Sequence, residues 1–69
     1  MLKPVEVVRA LKHCGFEEFR QTGSHLILGN RTTKKIAVVP MHRKDVGKGT
    51  LKKIIKQTGL SSEKFLELL

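Results

Sequence analysis

The sequence predicts an α+β fold: a two-layer sandwich in which a three-stranded antiparallel sheet carries helices on one face, in the order α-β-β-β-α-α. Three observations lead there. Apolar residues recur at helical spacing near each end of the chain. Between those stretches lie three short runs suited to strands, separated by turn signals built on glycine and asparagine. The links between these runs are too short for crossovers, so neighbouring strands run antiparallel. Helices gathered on one face are then the economical way to bury a single apolar layer.

Each element has its own signal. Pro4 suits the first turn of a helix, where its missing N–H costs nothing. Val7, Ala10, Leu11 and Cys14 follow at i, i+3, i+4, i+7, and Gly15 is placed to stop the helix, so it spans 4–14. The first strand runs from Phe16 to Thr22. Gly23-Ser24 turns the chain into a second strand, His25 to Leu28. A polar turn from Gly29 to Thr33 leads to a third, Lys35 to Val39, ended by Pro40. Residues 40–49 form a loop. Leu51, Ile54, Ile55 and Thr58 repeat the helical stripe, so a second helix starts near Thr50 and stops at Gly59. Ser61 caps a last short helix, with Leu60 and Phe65 as its hydrophobic staple and Phe65, Leu66 and Leu69 packing inward.

A chain of 69 residues forms one small domain, expected to span 1–69, and has no room for a multidomain enzyme or a deep cofactor pocket. The single cysteine, Cys14, excludes an internal disulfide and points to a reducing compartment. No apolar stretch approaches a membrane span and the start of the chain has no apolar signal region, so a cytoplasmic location and no membrane partner are expected.

The net charge of +8 is concentrated. Residues 31–56 hold nine basic side chains and one acid, Asp45, while the flanking segments nearly balance. Clustering of this kind is either the footprint of a polyanion, most often nucleic acid, or a solvated basic face. The usual nucleic-acid modes fit badly. A helix-turn-helix would place Glu63 and Glu67 on its reading helix. A stacking sheet needs exposed aromatics, yet there is no Trp or Tyr, and at least two of Phe16, Phe19 and Phe65 are expected in the core.

Few residues can carry chemistry. His25 opens the second strand, and strand periodicity puts it on the face opposite Leu26 and Leu28. It is either a surface histidine or a base for a ribose 2′-hydroxyl, since an ordinary imidazole titrates near about 6.5. His42, Arg43 and Lys44 either hold phosphate or form an ordinary polar loop. Gly47-Lys48-Gly49-Thr50 lacks P-loop spacing but offers a helix start and a lysine to an anion, with Lys52, Lys53 and Lys56 on the helix that follows. Cys14 belongs to an apolar stripe and His13 to solvent. The histidines, the cysteine and the scattered carboxylates have no metal-ligand spacing, so no metal and no cofactor are expected.

In order and spacing, Gly23-Ser24-His25, Val39-Pro40-Met41-His42 and the run from Gly47 through Leu51 to Gly59-Leu60-Ser61 resemble the HicA toxin family. Pro4 to Val8 and Leu11 to Phe16 fit the family's first helix. The polar turn at Gly29 to Thr33 differs from the His-Pro-Asp-Gly type common there. The resemblance implies a fold like the double-stranded-RNA-binding domain. It also implies an mRNA-cleaving, metal-independent endoribonuclease, the toxin of a type II toxin–antitoxin pair, with a HicB-like antitoxin as partner. The family's catalytic histidine maps onto His25. Ser24, His42, Arg43, Lys44, Lys48, Lys52, Lys53 and Lys56 are then the expected RNA contacts. The general acid is open between His42 and water. The rival classes are a non-catalytic RNA-binding module using the same basic face and a protein-interaction adaptor.

Overall fold

The computed structural model describes residues 2–69; Met1, the first residue of the expected domain, lies outside the described residues. The element order is α1 (Pro4–His13), β1 (Glu17–Thr22), β2 (His25–Gly29), β3 (Ile36–Pro40), α2 (Lys48–Thr58) and α3 (Ser62–Leu66), the order expected from periodicity. The strands form an antiparallel sheet in the order β1-β2-β3.

Local chemistry explains where the elements start and stop. Pro4 stands in the first turn of α1, and the Glu6 carboxylate accepts a hydrogen bond of 2.8 Å from the Lys3 N–H. Cys14 caps the other end, and Gly15 takes the positive φ of +95° that releases the chain. The helix thus ends one residue before the expected Cys14. Gly59 ends α2 the same way, with φ +79°. The Ser61 hydroxyl accepts from the Lys64 N–H at 3.1 Å and caps α3.

Alternation settles which sheet face is buried. Leu26 and Leu28 of β2 and Ala37 and Val39 of β3 are buried together with Val7, Ala10 and Leu11 of α1, Ile54 and Ile55 of α2, and Phe65 of α3. All helices therefore cover one face. The register pairs His25 with Pro40 and Ile27 with Val38, and these residues point to the opposite, open face.

Further expectations are corrected. β2 runs one residue on to Gly29, and β3 starts at Ile36 and includes Pro40, which pairs with His25. Phe16 precedes β1 and drops into the core, because the turn after α1 aims it under the sheet. Helix α2 begins at Lys48 on a Gly47 N-cap, two residues before Thr50, since the Gly47-Lys48-Gly49 segment is itself drawn into the first turn. Leu66 and Leu69 are exposed at 51% and 45%; α3 is one short turn, and Leu68 takes the inward place beside Phe65.

Asn30 is a buried polar residue whose role has no periodic signal. Its Oδ1 accepts from the Thr32 and Thr33 N–H groups at 2.9 and 3.0 Å, and its Nδ2 donates to the Cys14 carbonyl at 3.2 Å. It thereby closes the β2–β3 turn and ties that turn to the end of α1. No helix among the described residues is long and apolar enough to cross a membrane.

Candidate active site

The site is built by β2, β3, the loop after β3 and one face of α2. His25 is the first residue of β2, exposed on the open face and paired across the sheet with Pro40. The Gly23-Ser24 turn just before it has Gly23 at φ +58°, the conformation a tight hairpin demands. The Ser24 carbonyl accepts a 2.6 Å hydrogen bond from the Met41 N–H. That bond clamps the chain after β3 to the tip of the β1–β2 hairpin and sets His42 above β2. The His25 and His42 rings stand 6.0 Å apart, centroid to centroid, tilted by 57°.

Helix α2 covers the free edge of β3. The Gln57 Oε1 accepts from the Val38 N–H at 3.1 Å, in the place of a further strand. Because Thr50, Lys53, Ile54 and Gln57 fall at i, i+3, i+4, i+7, they share one helix face. Together with His25, Val38, Pro40, His42 and Arg43 they line an open cleft of about 400 Å³. That volume lies within the range of small-molecule sites, roughly 300–1,000 Å³, and suits a nucleotide-sized group.

The chemistry of the lining is uniform in sign. Arg43 and Lys53 supply fixed positive charge, the histidines can add more, and among the described residues no acidic side chain lines the cleft. Val38, Pro40 and Ile54 form an apolar wall, which lowers the local dielectric and strengthens attraction for an anion. Thus four of the residues singled out in the sequence, His25, His42, Arg43 and Lys53, line one cleft. Ser24 contributes through its backbone carbonyl. Lys44, Lys48, Lys52 and Lys56 are exposed but do not line the cleft. Lys52 and Lys56 sit roughly 60–100° around the helix from Lys53, so they extend the basic surface outward. In the sequence Thr50 marks only the start of the second helix, and Gln57 carries no signal of a role at the site. Their spacing from Lys53 marks them as residues of its face, but nothing local shows that this face borders a sheet edge.

Residues 5–60 match the model of a family described as the HicA toxin of bacterial toxin-antitoxin. The chain belongs to the HicA toxin family. A toxin role in a toxin–antitoxin pair follows from membership, and with it an antitoxin partner. A comparison with curated proteins finds no match. The HicA match includes every residue lining the cleft and ends at Leu60, so α3 lies beyond it.

Elsewhere in this HicA chain, Cys14 packs partly buried against the core, and burial pushes its thiol up from the ordinary range. A protonated thiol is a weak nucleophile, which fits the packing role its place on the stripe predicts. Among the described residues no group of three His, Cys, Asp or Glu side chains could hold a metal ion.

Proposed function

We propose that this HicA-family toxin is an endoribonuclease that cuts mRNA through the substrate's own 2′-hydroxyl, with His25 as general base and His42 as general acid. The pair of tilted imidazoles 6.0 Å apart in a cationic cleft is the observation that carries the reading. Neutral His25 takes the 2′-hydroxyl proton, and the 2′-oxygen attacks the adjacent phosphorus. Protonated His42 gives its proton to the departing 5′-oxygen as the P–O5′ bond breaks. The products are a 2′,3′-cyclic phosphate and a 5′-hydroxyl, and exchange with water restores both rings. Arg43 and Lys53 stabilise the charge that grows on the phosphoryl oxygens. Because the nucleophile belongs to the substrate and imidazoles move both protons, the mechanism needs no metal.

The test uses purified protein and end-labelled RNA in EDTA. Cleavage is expected, with 5′-hydroxyl products, and a single 2′-deoxy substitution at the cut site is expected to block it there. Binding without cleavage on any RNA would favour a non-catalytic RNA-binding module. The basic surface outside the cleft, Lys44, Lys48, Lys52 and Lys56, holds flanking phosphates in this reading. A HicB-like antitoxin with an acidic contact surface would cover the cleft and exclude RNA from His25.

The two groups of cations are expected to behave differently. Replacing Lys52 and Lys56 by Ala weakens RNA binding about equally across sequences and flattens its salt dependence by roughly 0.7 log units per lost phosphate contact on single strands. Cleavage at saturating RNA is retained. Replacing Arg43 or Lys53 lowers the rate at saturation as well, because these two face the reacting phosphate. Single-turnover rates against RNA concentration at several salt concentrations separate the effects. Equal loss of saturated rate in both sets would put the lysines outside the cleft on the reacting phosphate and refute the division.

A further inference from the structure

The open face of the sheet carries a second feature, well away from the cleft. Strand β1 pairs with β2 in register except between Glu18 and Arg20, where Phe19 is an extra residue. Such a bulge re-aims the side chain it carries. Phe19 is turned onto the open face and lies directly on Gly29: a Cβ at Gly29 would run into the ring. The ring nonetheless remains 45% exposed. Phe16 and Phe65 are buried, so among the described residues Phe19 is the phenylalanine presented to solvent.

Above the ring stands a cation. The Arg31 guanidinium carbon is 5.3 Å from the Phe19 centroid, and Arg31 Nε donates to Glu17 Oε1 at 3.0 Å. The ion pair steadies the arm and leaves the outer nitrogens of the guanidinium without a partner among the described residues. Gly29 is four residues along β2 from His25, about 13–14 Å at strand rise. Between them the open face offers Ile27, Val38 and the half-exposed Ile36, with Arg20 opposite Ile27.

We infer that Phe19 and Arg31 form a base-stacking slot for single-stranded RNA, holding one base about four stacked nucleotides away from the bond at His25. The inference rests on the reading of the protein as an RNA-acting toxin. Aromatic faces and guanidinium planes are the groups on which unpaired RNA bases stack. A base between ring and guanidinium needs two stacking spacings, about 6.8 Å, so Arg31 has to move out by about 1.5 Å. Its side chain is 73% exposed and that of its partner Glu17 is 53% exposed, so the pair can shift outward together. The outer nitrogens then face the neighbouring phosphate. Covering Gly29 requires only an apolar side chain; it requires neither an exposed π-face nor a guanidinium over it. Duplex RNA shows no free base face, so the slot selects single strands, and the apolar strip with Arg20 and Arg31 continues the path from the basic cleft.

The experiment measures binding of a fluorescein-labelled ten-nucleotide single-stranded RNA by anisotropy, in a His25→Ala background that prevents cleavage. Phe19→Leu keeps an apolar cover on Gly29 and removes the π-face; it is expected to weaken binding roughly five- to a hundredfold. Phe19→Trp is expected to bind as tightly as Phe19 does. The chain has no other Trp, so its indole emission reports the slot directly and is expected to be quenched by the RNA. An abasic nucleotide moved along the RNA should weaken binding at one position, with no such position in the Phe19→Leu protein. A blunt RNA duplex should bind the Leu and Phe forms alike. Single-strand affinity unchanged in Phe19→Leu, or indole emission unmoved by RNA, would overturn the slot while leaving the nuclease reading intact. If Phe19→Leu fails to fold, the indole signal and the abasic scan decide alone. Absence of RNA binding by the parent protein at low salt would overturn both.

Discussion

His25→Ala is expected to lower RNA cleavage by about 10²–10⁴-fold, the contribution typical of a positioned proton-transfer group, and to leave the fold in place. His25 is exposed at the start of β2 and has no side-chain hydrogen bond to lose among the described residues. Its removal should therefore cost about 0.5 kcal/mol or less, within the usual range for surface substitutions. RNA binding should survive, because Arg43 and Lys53 remain in the cleft and the other lysines remain around it. His42→Ala should give a loss of similar size. The double variant should lose much less than the product of the two, since the two rings act on one transition state. The parent rate should fall on the acid side, where a protonated His25 cannot accept, and on the alkaline side, where a neutral His42 cannot donate. Single-turnover cleavage against pH, with melting temperatures measured on the same samples, checks all of this. Full activity in His25→Ala would remove that residue from the mechanism. Activity lost only in step with melting would make it structural.

Phe65→Ala is expected to unfold much of the population. The ring is fully buried in the core although it belongs to α3, beyond the segment matched by the toxin family. Truncation of a buried Phe costs about 3–5 kcal/mol, from lost transfer energy and the cavity left behind. A chain of 69 residues has a total stability of roughly 3–10 kcal/mol. The loss is therefore comparable with the whole. Leu66→Ala is the matched control: its side chain is half exposed on the same short helix, so it should shift stability by about 1 kcal/mol or less. Urea unfolding followed by circular dichroism separates the two. Phe65→Ala with a near-parental midpoint would show that α3 is an appendage and that the core closes without it.

The contrast between Phe65 and Leu66 marks how far periodicity reaches. Over α1 and α2 the apolar stripe spans several turns, and helical geometry leaves one solution for which residues go inward. α3 is a single short turn, and the apolar residues within it and just after it, Phe65, Leu66, Leu68 and Leu69, satisfy several phases equally. The same holds for β1. Its residues are exposed throughout, so alternation carries no signal there, and the bulge at Phe19 is invisible without the partner strand.

The sequence by itself determined the order of the elements, their caps at Pro4, Gly15, Gly59 and Ser61, and the concentration of charge between Arg31 and Lys56. It determined that His25 lies opposite Leu26 and Leu28, because side chains alternate along any strand. These properties depend on residues within a turn or two of one another. Only the tertiary structure decided that His42 stands beside His25, that Lys53 faces the cleft while Lys52 and Lys56 do not, and that Phe19 lies on Gly29 beneath Arg31. Each is fixed by contacts between residues distant along the chain: the Met41 N–H on the Ser24 carbonyl, the Val38 N–H on Gln57 and the shifted register of β1 on β2. Such bonds form only when whole elements dock to bury a shared core. The side chains that meet at their edges are a consequence of that packing and leave no periodic trace in the sequence.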